Sequence, residues 1–272
     1  PGSTSTKIAC FDDTTCFMEK NISHSVDDLA DYTRIGDQFP LRRDAVLRAI
    51  ESDGITLKTL DAVVGRGGLL HPLSGGTYTV NERMLNDLTV GVMGEHASNL
   101  GGILASEIAG HVGGIPAYIV DPVVVDELVE YARFSGIPEI PRVSIFHALN
   151  QKAVARRVAA DHGKSYEEMS LVLAHMGGGV TVGSHLHGRV VDVNDGLNGE
   201  GPFTPERSGA VAVLQMAKLC FSGRYSLQEI SRMVKGGGGL VAYLGTNDAR
   251  EIGDRIEAGD KYADRGYRAM AR

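Results

Sequence analysis

The stretch from Leu171 to Gly183 limits what this chain can fold into more than any other. It reads Leu-Val-Leu-Ala-His-Met-Gly-Gly-Gly-Val-Thr-Val-Gly. An apolar run, Leu171 to Ala174, enters a turn with glycines at 177–179, and Val180, Thr181 and Val182 leave it in β-favouring residues. The pattern predicts a strand, a glycine turn and a second strand. Glycine puts no Cβ between the backbone and a ligand. Successive backbone N–H groups in such a turn can form a concavity for an anion. On the residues alone, two readings stay open: an ordinary hairpin turn or a phosphate cradle.

The start of the chain repeats the theme. Pro1-Gly2-Ser3-Thr4-Ser5-Thr6-Lys7 is a small-residue turn leading into a strand, and a further strand follows at Thr15 to Lys20. After the central turn, Gly188 to Val193 supplies the corresponding strand. The two copies lie about 175 residues apart. A duplication of this length predicts two similar lobes, each offering one phosphate-gripping turn. Neither turn is a Walker A loop, because no G-x-x-x-x-G-K-[ST] occurs.

The 272 residues suffice for one large or two ordinary domains, and 43% hydrophobic content supports a real core. A net charge of −7 with scattered basic residues argues against a nucleic-acid partner. No apolar run reaches transmembrane length, and no signal peptide is visible. Cys10, Cys16 and Cys220 show neither metal spacing nor a disulfide framework, which fits a reducing cytoplasm. The opening at Pro1 and the ending in a helical Arg-Ala-Met-Ala-Arg predict a chain trimmed at both ends.

Taken in order, residues 7–22 predict two strands and Pro40 to Ser52 a helix stopped by Asp53-Gly54. Asp61 to Arg66 reads as a short buried strand running into a glycine loop. Arg66 at that strand's carboxyl end is either a surface charge or a ligand group; the position favours the ligand. Asn81 caps a helix to about Val92, and helix resumes from Leu100 to Ala109 after an interruption that carries His96. Ile115 to Val120 is a strand closed by Asp121-Pro122, so Asp121 is a metal or catalytic carboxylate or simply a turn opener. Val123 to Phe134 reads as an amphipathic helix with Val125, Leu128, Val129 and Ala132 inward.

Ser144 to His147 leads into a helix over 148–161, whose dipole would disfavour a cationic His147. Alone, His96 and His147 read as hydrogen-bonded structural histidines. The long loop 193–209 is too dense in Gly, Pro and polar residues to be a mere connector, which raises interest in Arg207. Val211 to Leu219 is helical, and Ser226 to Glu229 is a capping box. The glycine run 236–239 follows a helix, so it reads as a C-cap and turn. His185 and His187 share a strand face, but no third ligand is nearby to make a metal site.

Together these pieces resemble the acetate and butyrate kinase family, within the actin-like sugar kinase/Hsp70 superfamily, over essentially the whole chain. Pro1 to Lys7 is similar to the family's first phosphate turn, Ala174 to Gly179 to its second, and Glu206-Arg207-Ser208-Gly209 to its active-site loop. Glu95 to Ile103 and Leu240 to Asp248 are closer to the butyrate branch than to the acetate branch. The implied fold is α/β: a two-lobed actin-like ATPase (ribonuclease H-like) duplicated fold with mixed central sheets. Residues 1–123 would form the N-terminal lobe and 124–272 the nucleotide-binding C-terminal lobe. An Asn before the first turn and a later segment that holds adenosine are family features outside this sequence. Gly178 stands where acetate kinases carry Asn. Gly68 stands where they carry a bulkier aliphatic, which implies room for a longer acyl chain.

By that resemblance Arg66, His96, Asp121, His147 and Arg207 match the family's active-site residues. The implied reaction is direct in-line transfer of the ATP γ-phosphoryl group to butyrate, giving butyryl phosphate and ADP reversibly. A carboxylate is ionised at pH 7 and needs no general base, only relief from charge repulsion. Arg66 would meet the substrate carboxylate, Arg207 the phosphoryl oxygens, with His147 donating in the transition state and His96 orienting. Asp121 would act on Mg²⁺. Gly2, Ser3, Thr4, Ser5, Thr6 and Lys7, with His175, Gly177, Gly178 and Gly179, would cradle the phosphates of ATP or ADP. The partners implied are a short-chain carboxylate or acyl phosphate and a second copy of the chain, in a homodimer or larger assembly, with no nucleic acid and no membrane. The alternatives are another short acid, such as isobutyrate, propionate, acetate or a 2-methyl acid, and a non-catalytic nucleotide-binding scaffold.

Overall fold

Alternating small, β-branched and apolar residues make the first hairpin, in which β1 (Ser5–Asp12) pairs antiparallel with β2 (Thr15–Ser23). The computed structural model describes residues 1–2 and 4–272, and the chain divides into two compact units, Pro1–Val125 and Asp126–Arg272.

In the first unit a short α1 (Val26–Ala30), with a capping box at Ser25, precedes α2 (Phe39–Ser52). Pro40 in the first turn of α2 loses no hydrogen bond there. Val46 and Ile50 of α2 pack on Cys10, Met18 and Ile108, forming the core beneath the hairpin. A mixed sheet follows, ordered β3 (Val63–Arg66), β5 (Ala117–Val120), β4 (Thr77–Thr79); β3 runs parallel to β5 and β4 antiparallel. The helices α3 (Glu82–Val90) and α4 (Asn99–His111) lie between β4 and β5 in sequence. The Asn81 side chain accepts from Met84 N–H and Gly91 ends α3 in a left-handed conformation. The strand at Val63 is not buried along its length, since Val64 is 62% exposed. The strand β4 is additional to the expected elements, and Thr77, Tyr78 and Thr79 have the β-branched and aromatic character of one.

The expected helix over 123–134 does not form. Three consecutive valines after Pro122 favour extended backbone. Val125 bridges to Leu73, while Val129 N–H donates to Val191 O, and only Glu130–Arg133 closes into a 3₁₀ turn. Of the four residues expected inward there, Val125, Leu128 and Ala132 are core residues and Val129 is half-buried.

In the second unit α5 (Ala148–Asp161) lays Ala155 and Ala159 against β6 (Ser170–Met176) through Tyr166, Leu171 and Leu173. The strands β6, β7 (Val180–Leu186) and β8 (Arg189–Val193) form an antiparallel sheet in that order. The tail is helical: α6 (Val213–Cys220), α7 (Leu227–Val234), α8 (Leu240–Leu244), α9 (Ala249–Glu257) and α10 (Lys261–Ala271). Leu240, Leu244, Ile252 and Ala263 hold the last three together.

Candidate active site

In the first unit the parallel pairing of β3 with β5 sets Arg66 opposite Val120, so Arg66 and Asp121 stand at neighbouring carboxyl ends of one sheet. The N-terminus of α4 packs onto this edge through glycine. A Cβ on Gly101 would lie 2.0 Å from Arg66 O, and one on Gly65 would lie 2.1 Å from Gly101 O. His96 precedes α4 by three residues. Its Nδ1 accepts from Ser98 N–H at 3.2 Å, which leaves the ring proton on Nε2. Asp121 is buried in a left-handed conformation (φ 38°), and its Oδ1 accepts from Gly76 N–H at 2.8 Å.

The first turn is closed by Gly2 N–H donating to Ser5 O at 2.7 Å, and His24 N–H donates to Thr4 O. Ser3 lies outside the described residues. Thr4 and Lys7 are exposed, whereas Thr6 is buried. The Thr6 hydroxyl accepts from Arg42 Nη1 at 3.1 Å and bonds His24 Nε2 at 2.9 Å, so it anchors the turn from below.

In the second unit the turn 177–179 carries two side chains of the long loop on its backbone. A Cβ on Gly179 would lie 2.6 Å from Arg207 Nε, and one on Gly178 would lie 2.8 Å from the Glu206 carboxyl. The loop is pinned there: Thr204 Oγ1 donates to Gly178 O at 2.6 Å and Glu206 N–H donates to the same oxygen at 3.2 Å. The glycine run 236–239 backs the loop. A Cβ on Gly239 would collide with Thr204 O and one on Gly238 with Ser208 N, so close backbone approach adds a reason for glycine beyond the expected turn. Arg207 Nε is buried with no hydrogen-bond partner among the described residues. Burial pulls the Arg207 guanidinium below its usual range, while Glu206 and Asp195 act in the opposite sense. A buried cationic donor without an acceptor fits an anionic oxygen arriving at this turn.

His147 and His175 stack beside the same turn, ring centroids 3.7 Å apart and 9° from parallel. His175 Nδ1 bonds Asn150 Oδ1 at 2.9 Å, and its Nε2 sits 3.3 Å from where a Gly177 Cβ would be. His147 Nδ1 bonds Thr181 Oγ1 at 2.9 Å. Thus the second unit brings Gly177, Gly178, Gly179, His175, His147 and Arg207 into one cluster, and the first unit gathers Arg66, Asp121 and the α4 entry bearing His96.

His185 is not a metal ligand. It is buried between Tyr166 OH (2.6 Å) and Gln151 Oε1 (3.0 Å), whereas His187 lies exposed in the following turn. Among the described residues no three His, Cys, Asp or Glu gather as a metal cage. Asp121 offers one buried carboxylate, which suits a Mg²⁺ held chiefly by phosphates and water. The room expected at Gly68 is taken: a Cβ there would meet Asn99 Cα and Oδ1 at 2.5 Å and Leu88 Cδ2 at 2.8 Å. The Asn99 amide fills that space while accepting from Leu69 N–H at 2.9 Å. Glu206 entered the sequence reading only as part of the loop motif 206–209, and Thr181 and Gln151 did not enter as site residues; the one signal for Thr181 is that it follows the turn by two residues.

The family model described as "Acetokinase family" matches residues 140–271. Butyrate kinase 1 of Clostridium acetobutylicum is 54% identical over 270 residues, covering 99% of this chain and 76% of that protein. A probable butyrate kinase of Clostridium botulinum is 52% identical over the same shares. The crystal structure of Porphyromonas gingivalis acetate kinase superposes with a TM-score of 0.77 at 18% identity, covering 99% of this chain and 74% of that one, and this chain shares its actin-like α/β fold. This chain belongs to the acetokinase family.

Proposed function

We propose that the protein is a butyrate kinase, an ATP-dependent phosphotransferase with a carboxyl group as acceptor. Kinship carries the reaction class. The observation that carries the chemistry is Arg207, whose buried, partnerless Nε lies against Gly179 of the phosphate turn.

The substrate carboxylate is already ionised, so no residue has to remove a proton from it. The work is positioning and charge neutralisation. In the second unit the turn 177–179 offers its backbone to ATP phosphates, and Arg207 takes the oxygens of the transferring group. His147 donates through Nε2 to charge that develops there, and His175 braces it by stacking. In the first unit Arg66 binds the substrate carboxylate, His96 donates from Nε2, and the turn of Gly2, Thr4 and Ser5 with Lys7 meets phosphate. Asp121 would hold Mg²⁺, directly or through water; that ion, when bound, neutralises phosphate charge. The 1–123 and 124–272 division corresponds, in this reading, to the two lobes of the enzyme. No helix among the described residues is long and apolar enough to cross a membrane. A cytoplasmic homodimer or larger assembly is the form we assign.

A hydroxylamine-trap assay with ATP, Mg²⁺ and acids from acetate to valerate tests the reading. Acyl hydroxamate peaking at butyrate or isobutyrate supports it. A peak at acetate keeps the mechanism and discards the butyrate preference, which the filled space at Gly68 does not itself supply. No hydroxamate with any acid, while ATP binds, favours the scaffold.

A further inference from the structure

A directed chain of hydrogen bonds runs through the second unit from Tyr166 to His147. Thr181, Gln151 and His185 are each at most 1% exposed, so water does not break it. Its direction follows from groups that can act in only one sense. Thr181 O is a backbone carbonyl and must accept, so the Gln151 group facing it at 2.9 Å is the amide Nε2. Gln151 Oε1 is then the atom that meets His185 Nε2 at 3.0 Å, and His185 must donate from that nitrogen. Its Nδ1 therefore accepts, and Tyr166 O–H donates to it at 2.6 Å.

The other end is set in the same way. Thr181 Oγ1 receives Gln151 Nε2 at 3.0 Å and His147 backbone N–H at 3.4 Å. Those two donors occupy both lone pairs of the hydroxyl. Its own proton must go elsewhere, and His147 Nδ1 stands 2.9 Å away. His147 Nδ1 is then an acceptor, and the ring proton sits on Nε2.

We infer that Thr181 and Gln151 are positioning residues that hold His147 in the neutral Nε2–H tautomer, making its outer nitrogen a donor. The buried pair His185 and Tyr166 anchors the far end of the chain. The functional consequence rests on the role proposed for His147; the tautomer itself does not. His147 is the N-cap residue of α5, where the helix dipole also favours an uncharged ring.

Long-range ¹H–¹⁵N correlation of histidine-labelled protein reads the tautomer, and steady-state kinetics reads its effect. The wild type should show His147 with a bare Nδ1 and a protonated Nε2. Thr181→Val removes the hydroxyl at nearly constant volume. It should shift His147 toward the Nδ1–H form and lower kcat about 10- to 100-fold with KM for ATP and butyrate within about twofold. Thr181→Ser should restore both readouts, which a purely structural loss would not predict. Gln151→Met should give an intermediate shift. An unchanged His147 tautomer in folded Thr181→Val overturns the inference, as does a shifted tautomer with undiminished kcat when His147→Gln is impaired. If His147→Gln itself keeps full activity, the role proposed for His147 fails while the tautomer result stands.

Discussion

Arg207 is distinguished by what it lacks. Its Nε is buried and without an acceptor, and burial works against its charge. That arrangement costs stability unless an anion arrives, so it is suited to a phosphoryl group. The glycine beneath it is part of the device. Gly179→Ala would place a methyl group 2.6 Å from Nε. The flexible side chain can swing aside, so the melting temperature should change little while kcat falls about 10²-fold, or about 3 kcal/mol of transition-state stabilisation. Parallel thermal unfolding and steady-state kinetics check the split.

His185 supplies a pH signature. Burial first, and the nearby Lys152 charge second, depress its pKa to about 4, with Glu127 opposing. The unfolded chain binds that proton near pH 6.5, so it takes up more protons than the folded chain between those values. Stability should therefore be full above pH 6.5 and fall by up to about 3 kcal/mol as pH drops toward 4. Denaturant titrations across that window should show the slope, and His185→Gln should remove its share.

At the scale of elements, two buried contacts fix how helices sit within their units. The first is the crossing of α4 over β3, where backbone meets backbone at Gly65 and Gly101. Gly101→Ala would drive a methyl group into Arg66 O, and neither partner is a side chain that can yield. It should cost more than about 2 kcal/mol in denaturant unfolding and raise KM for the carboxylate by moving Arg66. The second is the buried ion pair of Lys152 on α5 with Glu127, at 2.8 Å, where Glu127 also accepts from Val190 N–H. Lys152→Met leaves that carboxylate buried without its cation and should cost about 3–5 kcal/mol by chemical unfolding.

Elements with strong local signals were readable in the sequence. Asn81 and Ser226 cap their helices as their positions demand, and the glycines at 177–179 join two strands. The segment 123–134 was not readable. Its apolar spacing suits a helix, yet bridges to Leu73 and Val191, both distant in sequence, hold it extended.

Across the molecule, each unit joins a glycine turn to a sheet, but the repeat is looser than the sequence suggests. The first turn leads into a two-stranded hairpin and the second lies within a three-stranded sheet. Arg66, Asp121 and Arg207 could be singled out because strand ends and a dense loop announce themselves along the chain. Thr181 and Gln151 could not: they meet 30 residues apart across a helix and a strand, and only folding pairs them. Gly68 failed for a related reason, since the missing side chain makes room for Asn99 and not for a ligand. The most direct test of the whole account is ATP formation from butyryl phosphate, ADP and Mg²⁺, followed by a coupled assay. The wild type should turn over, and Arg207→Gln should lose about 10²-fold or more with ADP still bound. Absence of ATP from the wild type under saturating ADP and butyryl phosphate would contradict it.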